Sequence, residues 1–392
     1  MRVRALLTAA LCLAAAAGAP GSTQAQGPAL HVPVIVSLTG LAAFIGRGEQ
    51  QSLKLIEAIV NRQGGVDHRP VVFDIVDDAS SPQTAVQLTN QIVASKAPVM
   101  IGPGLTQDCN AVAPLVRANG PAEYCLSPGI NPAAGGFIFS SSVSLRDCAI
   151  AAIRYFRERG LTRLAILSST DATGQEIDQD YDVAKALPEN RDIAFVAREH
   201  FNLTDVSVGA QIARIKAANP QALLTWTVGP AFGTELHGIA DGGLDVPVLG
   251  SNGDMVYAQL EQYKGFMPKE LLFTGVLASS HDSLGSGPVK DAQTVYFNAY
   301  KAAGIKPDLT NTLSWDPALI VLDAYRHLGF NATAQQMREY INGLHGWVGI
   351  NGVYDFRDGT QHGIGQNAVI MSRWDPVKEE FTPVSKRGGH VR

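Results

Sequence analysis

The chain has 392 residues, which exceeds one ordinary core and suits two domains. Hydrophobic residues make up 46% and charged residues 17%, the balance of a folded globular chain rather than a disordered one. A formal net charge of -5 argues against a nucleic-acid binder, which would present a basic face.

Residues 1–25 read as a signal peptide. Arg2 and Arg4 give a positive start, and the apolar run from Ala5 to Ala17 is too short to span a bilayer. Thr23-Gln24-Ala25 offers a signal-peptidase site. Cys12 raises a lipoprotein, but Leu11 before it is the wrong size for that cleavage. An exported, periplasmic chain is expected.

Strand-like and helical runs alternate from there on. Strands are expected at 32–36, 71–76, 97–101 and 122–126, with helices at 49–61, 81–95 and 107–119 between them. In the first helix Leu53, Ile56 and Val60 recur at helical spacing. A second series follows, with strands at 164–167, 193–198, 222–227 and 247–249 and helices at 145–159, 208–218 and 231–241. Two βα series predict two parallel-sheet α/β lobes. The remainder reads as a strand at 272–277, helices at 289–303 and 317–328, and a closing hairpin of 353–356 with 369–374.

The loop after the first strand carries Gly40, Gly46 and Gly48. Their spacing does not fit a dinucleotide fingerprint, and no Gly-Lys-Ser/Thr follows for a phosphate loop. The loop is either a plain turn or one lip of a cleft for a small anion, since ligands bind at the carboxyl ends of strands in open α/β sheets. The next two strand exits are similar. One carries Gly102, Gly104 and Thr106, the other Ser127, Gly129, Ile130 and Asn131. Three such exits in succession predict one continuous polar pocket edge.

Cys109 falls at a helix start and Cys125 at a strand end, which an α/β layer brings to one edge; a Cys109–Cys125 disulfide is expected, with free thiols as the alternative. No residue cluster suggests a metal or a cofactor. Neither G-x-S-x-G nor H-E-x-x-H occurs, so no enzyme is expected. Asp77–Asp78 follows the second strand and would suit acid–base work, and His281 reads as a solvated loop residue.

The order SLTG (37–40), DDASSPQTA (77–85), IGPGLT (101–106), LSPGIN (126–131), STDATGQE (169–176) and the segment 202–226 is similar to type I periplasmic solute-binding proteins of the branched-chain amino-acid importer class. The resemblance spans nearly all of the chain after residue 25. It implies two lobes joined by three crossovers, near 140–144, 274–278 and 349–353. Lobe 1 would hold 28–141 and 276–350, and lobe 2 would hold 142–275 and 351–385. It also implies a monomer that captures a small carboxylate by hinge closure, presents it to the permease of an ABC importer, and performs no chemistry.

Carried onto this sequence, the family's carboxylate edge falls on Thr106, Gly129 and Asn131, within a first-lobe set of Leu38, Thr39, Ala43, Phe44, Leu105, Gln107, Ser127 and Ile130. The second-lobe contacts fall on Thr173, Val228, Gly229, Pro230 and Asn252. Amino-acid binders of this class place an acid near the last of these, and here Asn252 stands there, with Asp254 two positions on. The missing ammonium partner argues against an α-amino acid, and the segment 202–226 resembles relatives that bind aromatic acids; Phe44, Trp226, Tyr257 and Trp315 are a candidate stacking wall, although Trp226 inside a strand also reads as core. A branched-chain or other amino-acid binder, a keto-acid binder and a ligand-sensing module for a membrane receptor are the alternatives.

Overall fold

The computed structural model describes residues 27–392, so the expected signal segment and Cys12 lie outside the described residues. β1 (Leu30–Val36), β2 (Val71–Asp77), β3 (Val99–Ile101), β4 (Ala122–Cys125) and β5 (Ile138–Ser140) form a parallel sheet in the order β2-β1-β3-β4-β5. Helices α1 (Ala43–Arg62), α2 (Pro82–Ala94) and α3 (Thr106–Val116) connect its first four strands. Val32, Val34, Ile35 and Val36 are all buried, as expected for a strand covered on both faces.

After α4 (Leu145–Glu158) comes the second series: β6 (Arg163–Ser169), α5 (Ala172–Lys185), β7 (Ala194–Phe201), α6 (Gly209–Ala217), β8 (Ala222–Trp226), α7 (Pro230–Asp241), β9 (Val248–Gly250), α8 (Tyr257–Gln262) and β10 (Leu271–Val276). The chain then returns to the first lobe through α9 (Pro288–Ala302), α10 (Leu309–Leu328), α11 (Ala334–Gly343), β11 (His345–Val348) and β12 (Val353–Asp355). It ends with β13 (Val369–Asp375) and β14 (Glu380–Pro383). The second sheet runs β14-β13-β10-β9-β8-β6-β7, with β13 antiparallel to both neighbours and the rest parallel. The two-lobed α/β architecture read from the sequence is therefore present.

The tail was harder to read. The segment 353–356 does not pair with 369–374. β12 pairs with β11, and β13 pairs with β10 and β14. Phe356 meets Phe139 edge-on at 5.6 Å, and the Gln361 side chain donates to the Ile138 carbonyl at 3.0 Å. Residues 353–361 thus pack on the first sheet, and the third crossing lies after them rather than at 349–353. Short strands with one apolar face give the same pattern whichever partner they choose.

α1 begins six residues before the expected position. Gly46 and Gly48 lie inside it, because a Cβ on Gly46 would stand 2.0 Å from the Ser37 carbonyl oxygen and one on Gly48 2.0 Å from Thr310 Oγ1 of α10. The glycines let α1 approach β1 and α10, at a cost in helix propensity that disguised the helix. They are not openings for a ligand. α10 likewise starts at Leu309, not 317, with Pro317 inside it. Its start is fixed by Asp308, which accepts the Thr310 N–H at 3.0 Å, while the Asp308 N–H donates to Asn311 Oδ1 at 2.9 Å.

Cys109 and Cys125 form a disulfide that ties the first turn of α3 to the end of β4. Cys148 is a free, buried thiol, pushed by that burial up to about 12.

Candidate functional site

Parallel pairing sets the strand ends level. Val36 stands opposite Asp77, Ile101 opposite Tyr124, and Ser168 opposite Trp226. The exits of β1, β3 and β4 in one lobe therefore face those of β6, β8 and β9 in the other, where open α/β sheets place ligands. A narrow cavity of about 50 Å³ lies between them, lined by Ile45, Gly104, Leu105, Thr106, Ser127, Pro128, Leu145, Thr173, Trp226, Val228, Ser251, Asn252, Gly253, Leu309 and Leu313. That is room for one or two water molecules, at about 30 Å³ each, so a solute enters only when the lobes part.

Six of the expected residues meet here: Leu105, Thr106, Ser127, Thr173, Val228 and Asn252. The hydroxyls of Thr106 and Ser127 are 2.7 Å apart, and Thr173 donates to Thr106 across the cleft at 3.2 Å. The N-terminus of α3 starts at Thr106, so its free N–H groups and dipole favour a negative charge. No lining residue is a Lys, Arg, His, Asp or Glu.

The other expected residues lie outside the lining. The Leu38 N–H and the Thr39 hydroxyl donate to the Asp77 carboxylate, at 2.8 and 2.7 Å, so both belong to a turn at the lip. Burial works against ionisation of Asp77, but these bonds and the Ala79 N–H outweigh it and hold the carboxyl below its ordinary range. Asp77 is thus a turn residue. Phe44 joins a small apolar cluster with Ala42, Ile45 and Leu313, on the half-buried first turn of α1 that also holds Ala43. Its ring reaches over the cleft to Gly229, where an added Cβ would stand 3.0 Å from it. Gly229 also has φ 72°, so close approach and backbone both require glycine there. Pro230 is exposed at the start of α7, and Gln107 is half-buried in the first turn of α3.

Gly129 is packed against Thr106 and donates its N–H to Ser127 Oγ at 3.2 Å, so it supports the edge from behind. Ile130 packs beside the disulfide. Asn131, expected on the carboxylate edge, is exposed and gives its side-chain amide to Glu176 of the opposite lobe. An amide already held by a carboxylate bridges the lobes at the rim.

Of the four aromatic candidates, only Trp226 lines the cavity besides being buried. Trp315 is core, edge-on to Tyr296 at 4.8 Å. Tyr257 and His281 border a second, open hollow of about 1030 Å³ beyond Leu309 and Met255. That hollow is larger but lacks the converging strand ends, so the narrow cavity is the candidate site. Ile45, Leu145, Leu309 and Leu313 were missed because each also fits an ordinary buried helical face, which is the only signal the sequence offers for them.

Acids surround the site without facing it. Asp254 is fully buried and accepts the Gly229 N–H at 3.0 Å; burial raises its carboxyl well above the ordinary range despite that bond. Glu235 is raised in the same way, by burial and then by Asp254. Behind Gly104, burial and then the charge of Asp78 raise Glu49 well above its range and push Asp108 up to about 7.

A family model described as periplasmic binding protein matches residues 29–378. A Leu/Ile/Val-binding protein homolog from Brucella melitensis is 22% identical over 228 residues, 57% of this chain and 61% of that protein, so the chain spans under two thirds of the relative's length. An extracellular ligand-binding receptor from Rhodopseudomonas palustris HaA2 superposes with a TM-score of 0.79 at 17% identity, covering 92% of this chain and 100% of that one. An ABC-transporter solute-binding protein from R. palustris in complex with benzoate superposes at 0.76, with 18% identity and 93% and 97% coverage. A branched-chain amino acid transporter substrate-binding protein from Streptococcus pneumoniae in complex with isoleucine superposes at 0.71, with 16% identity and 93% and 98% coverage. These structures share the fold, and the matched family spans nearly the whole described chain: the protein belongs to the periplasmic binding protein family.

Proposed function

We propose that the protein is the solute-capturing component of an ABC importer and that its solute is a small organic carboxylate without an α-ammonium group, an aromatic acid fitting best. The observation that carries this reading is the lining of the interlobe cavity. It offers hydroxyls and a helix N-terminus to an anion and no ionised acid to a cation. An α-ammonium buried there would lack a charge-assisted bond of roughly 1.5–3 kcal/mol, about ten- to a hundredfold in affinity. The benzoate complex of a similar fold supports an aromatic acid, while the isoleucine complex of another keeps amino acids in the test.

The lobes close because a solute bonded to both favours the closed state. Thr106 and Ser127 would hold the carboxylate, and the closed form would dock on a membrane permease. A thermal-shift screen of the exported protein against aromatic carboxylates, short keto acids and branched-chain amino acids tests the reading. A ligand at 100 times its Kd stabilises by about 2.7 kcal/mol. Shifts with aromatic acids and none with leucine or valine are expected. Shifts with leucine or valine alone would overturn the ligand class.

A further inference from the structure

We propose that His362 is a proton-operated clasp in the hinge: on taking up a proton it bonds the first crossover to the third and favours the closed arrangement of the lobes. The clasp acts on the hinge whatever the solute, so it is independent of the carboxylate reading. His362 is buried and stands where the chain leaves the first lobe for β13. Its Nδ1 lies 3.0 Å from the Ser142 carbonyl oxygen, and its Nε2 lies 3.1 Å from that of Ile130. Ser142 belongs to the crossover from β5 to α4, and Ile130 to the first-lobe loop that carries Ser127 and Asn131. The Gln361 carbonyl also accepts the Ser140 N–H at 2.9 Å, so the two crossovers run side by side here.

A carbonyl oxygen only accepts, and a neutral imidazole has a single N–H. Either tautomer therefore bonds one of the two carbonyls and turns a bare nitrogen lone pair on the other. Only the imidazolium bonds both. The two carbonyls differ in how they follow hinge motion. Ile130 moves with the first lobe, as does the segment 353–361 that leads into His362, whereas Ser142 lies in a segment that turns when the lobes part. Ser142 also holds φ 65°, a left-handed conformation that a non-glycine residue keeps only where its surroundings impose it. The open arrangement thus keeps one carbonyl, for which the neutral ring suffices, and closing brings the second, which only the cation satisfies. A proton bound more tightly by the closed state favours that state.

The two stretches that present the carbonyls, 126–131 and 140–144, carry no ionisable side chain. Asp147, in the first turn of α4, acts on the ring and favours the cation. Arg146 beside it pairs with Asp180 at 2.9 Å, and Glu176 holds the Asn131 amide. Burial outweighs both carbonyls and Asp147 and lowers the pKa of the ring, so the clasp engages below about pH 6.5. The same burial makes the charged ring a cost against the unfolded chain, which is a separate equilibrium.

The test is solution scattering of the unliganded exported protein from pH 8 down to pH 5, in the wild type and in His362→Gln, whose side chain offers an amide N–H but takes up no proton. The radius of gyration of the wild type should fall as the pH drops below 6.5, and that of the variant should keep its pH 8 value. Asp308, pushed up to about 6, titrates in both proteins and cancels in the comparison. If the variant does not fold, the ring resonances of His362 in the wild type decide, since they should titrate in step with the radius. A wild-type radius that stays constant or grows toward pH 5, a variant that follows the wild type, or a His362 ring that stays neutral down to pH 5 overturns the proposal.

Discussion

The Asp254 carboxylate accepts the backbone N–H of Gly229 at 3.0 Å, and this bond turns the acid of the loop after β9 away from the cavity. The acid nearest the place of the missing ammonium partner instead holds the chain that enters α7. Burial raises its carboxyl well above the ordinary range and so favours the neutral form, for which an amide is a close substitute. Asp254→Asn should leave stability nearly unchanged, while Asp254→Ala should cost about 1–3 kcal/mol by stranding the Gly229 N–H. Urea unfolding measures both. Equal destabilisation by the two would mean that Asp254 carries a charge.

The Asn131 amide and the Glu176 carboxylate bridge the lobes, as do the Thr173 and Thr106 hydroxyls at 3.2 Å. A contact between lobes exists only in the closed arrangement and biases the equilibrium toward it. Glu176→Ala should shift the protein toward the open form, seen as a larger radius of gyration in solution scattering. An unchanged radius would show that the bridge does not contribute to closure.

Thr106 is the hub of the first-lobe edge. Thr106→Val keeps the shape and removes the oxygen that meets Ser127 at 2.7 Å and Thr173. Affinity for a bound carboxylate should fall by about 1–3 kcal/mol, read by calorimetry. A smaller loss would move the anion away from the start of α3.

The acids behind Gly104 give the protein an uncommon pH dependence. Burial, and then Asp78, push Asp108 up to about 7, so the folded state keeps a proton that the unfolded chain releases near pH 4. The resulting stability is fully present below about pH 4 and is lost as pH rises toward 7. Burial lowers the pKa of His362, so its effect runs the other way, lost as pH falls below about 6.5. Comparing Asp108→Asn with the wild type separates the two. The variant should lose part of the decline in Tm between pH 5 and pH 8. Parallel Tm curves would show that Asp108 ionises normally.

Much of this was legible in the residues. The alternation of apolar runs with helical ones gave the first sheet and the parallel part of the second, because strands buried on two faces and helices buried on one leave different periods. The strand exits of Thr106, Ser127 and Asn252 came with them, since topology alone puts those ends in the cleft. What failed was decided by contact over long separations. Gly46 and Gly48 look like a loop until Ser37 and Thr310 are seen against them. Asn131 reads as a carboxylate-binding residue, and its bond to Glu176 across the cleft has no sign in the sequence. Trp226 reads as core by its strand position, and only its place in the cavity lining distinguishes it.

The central claim is that the cleft holds a carboxylate and has no place for an ammonium. Titration with a matched pair, phenylacetate and phenylglycine, tests it most directly, because the two differ at the α-position by that group alone. The account predicts that phenylacetate binds at least tenfold more tightly. Tighter binding of phenylglycine would contradict it, and would mean that an acid turns into the cleft when the lobes close on an amino acid.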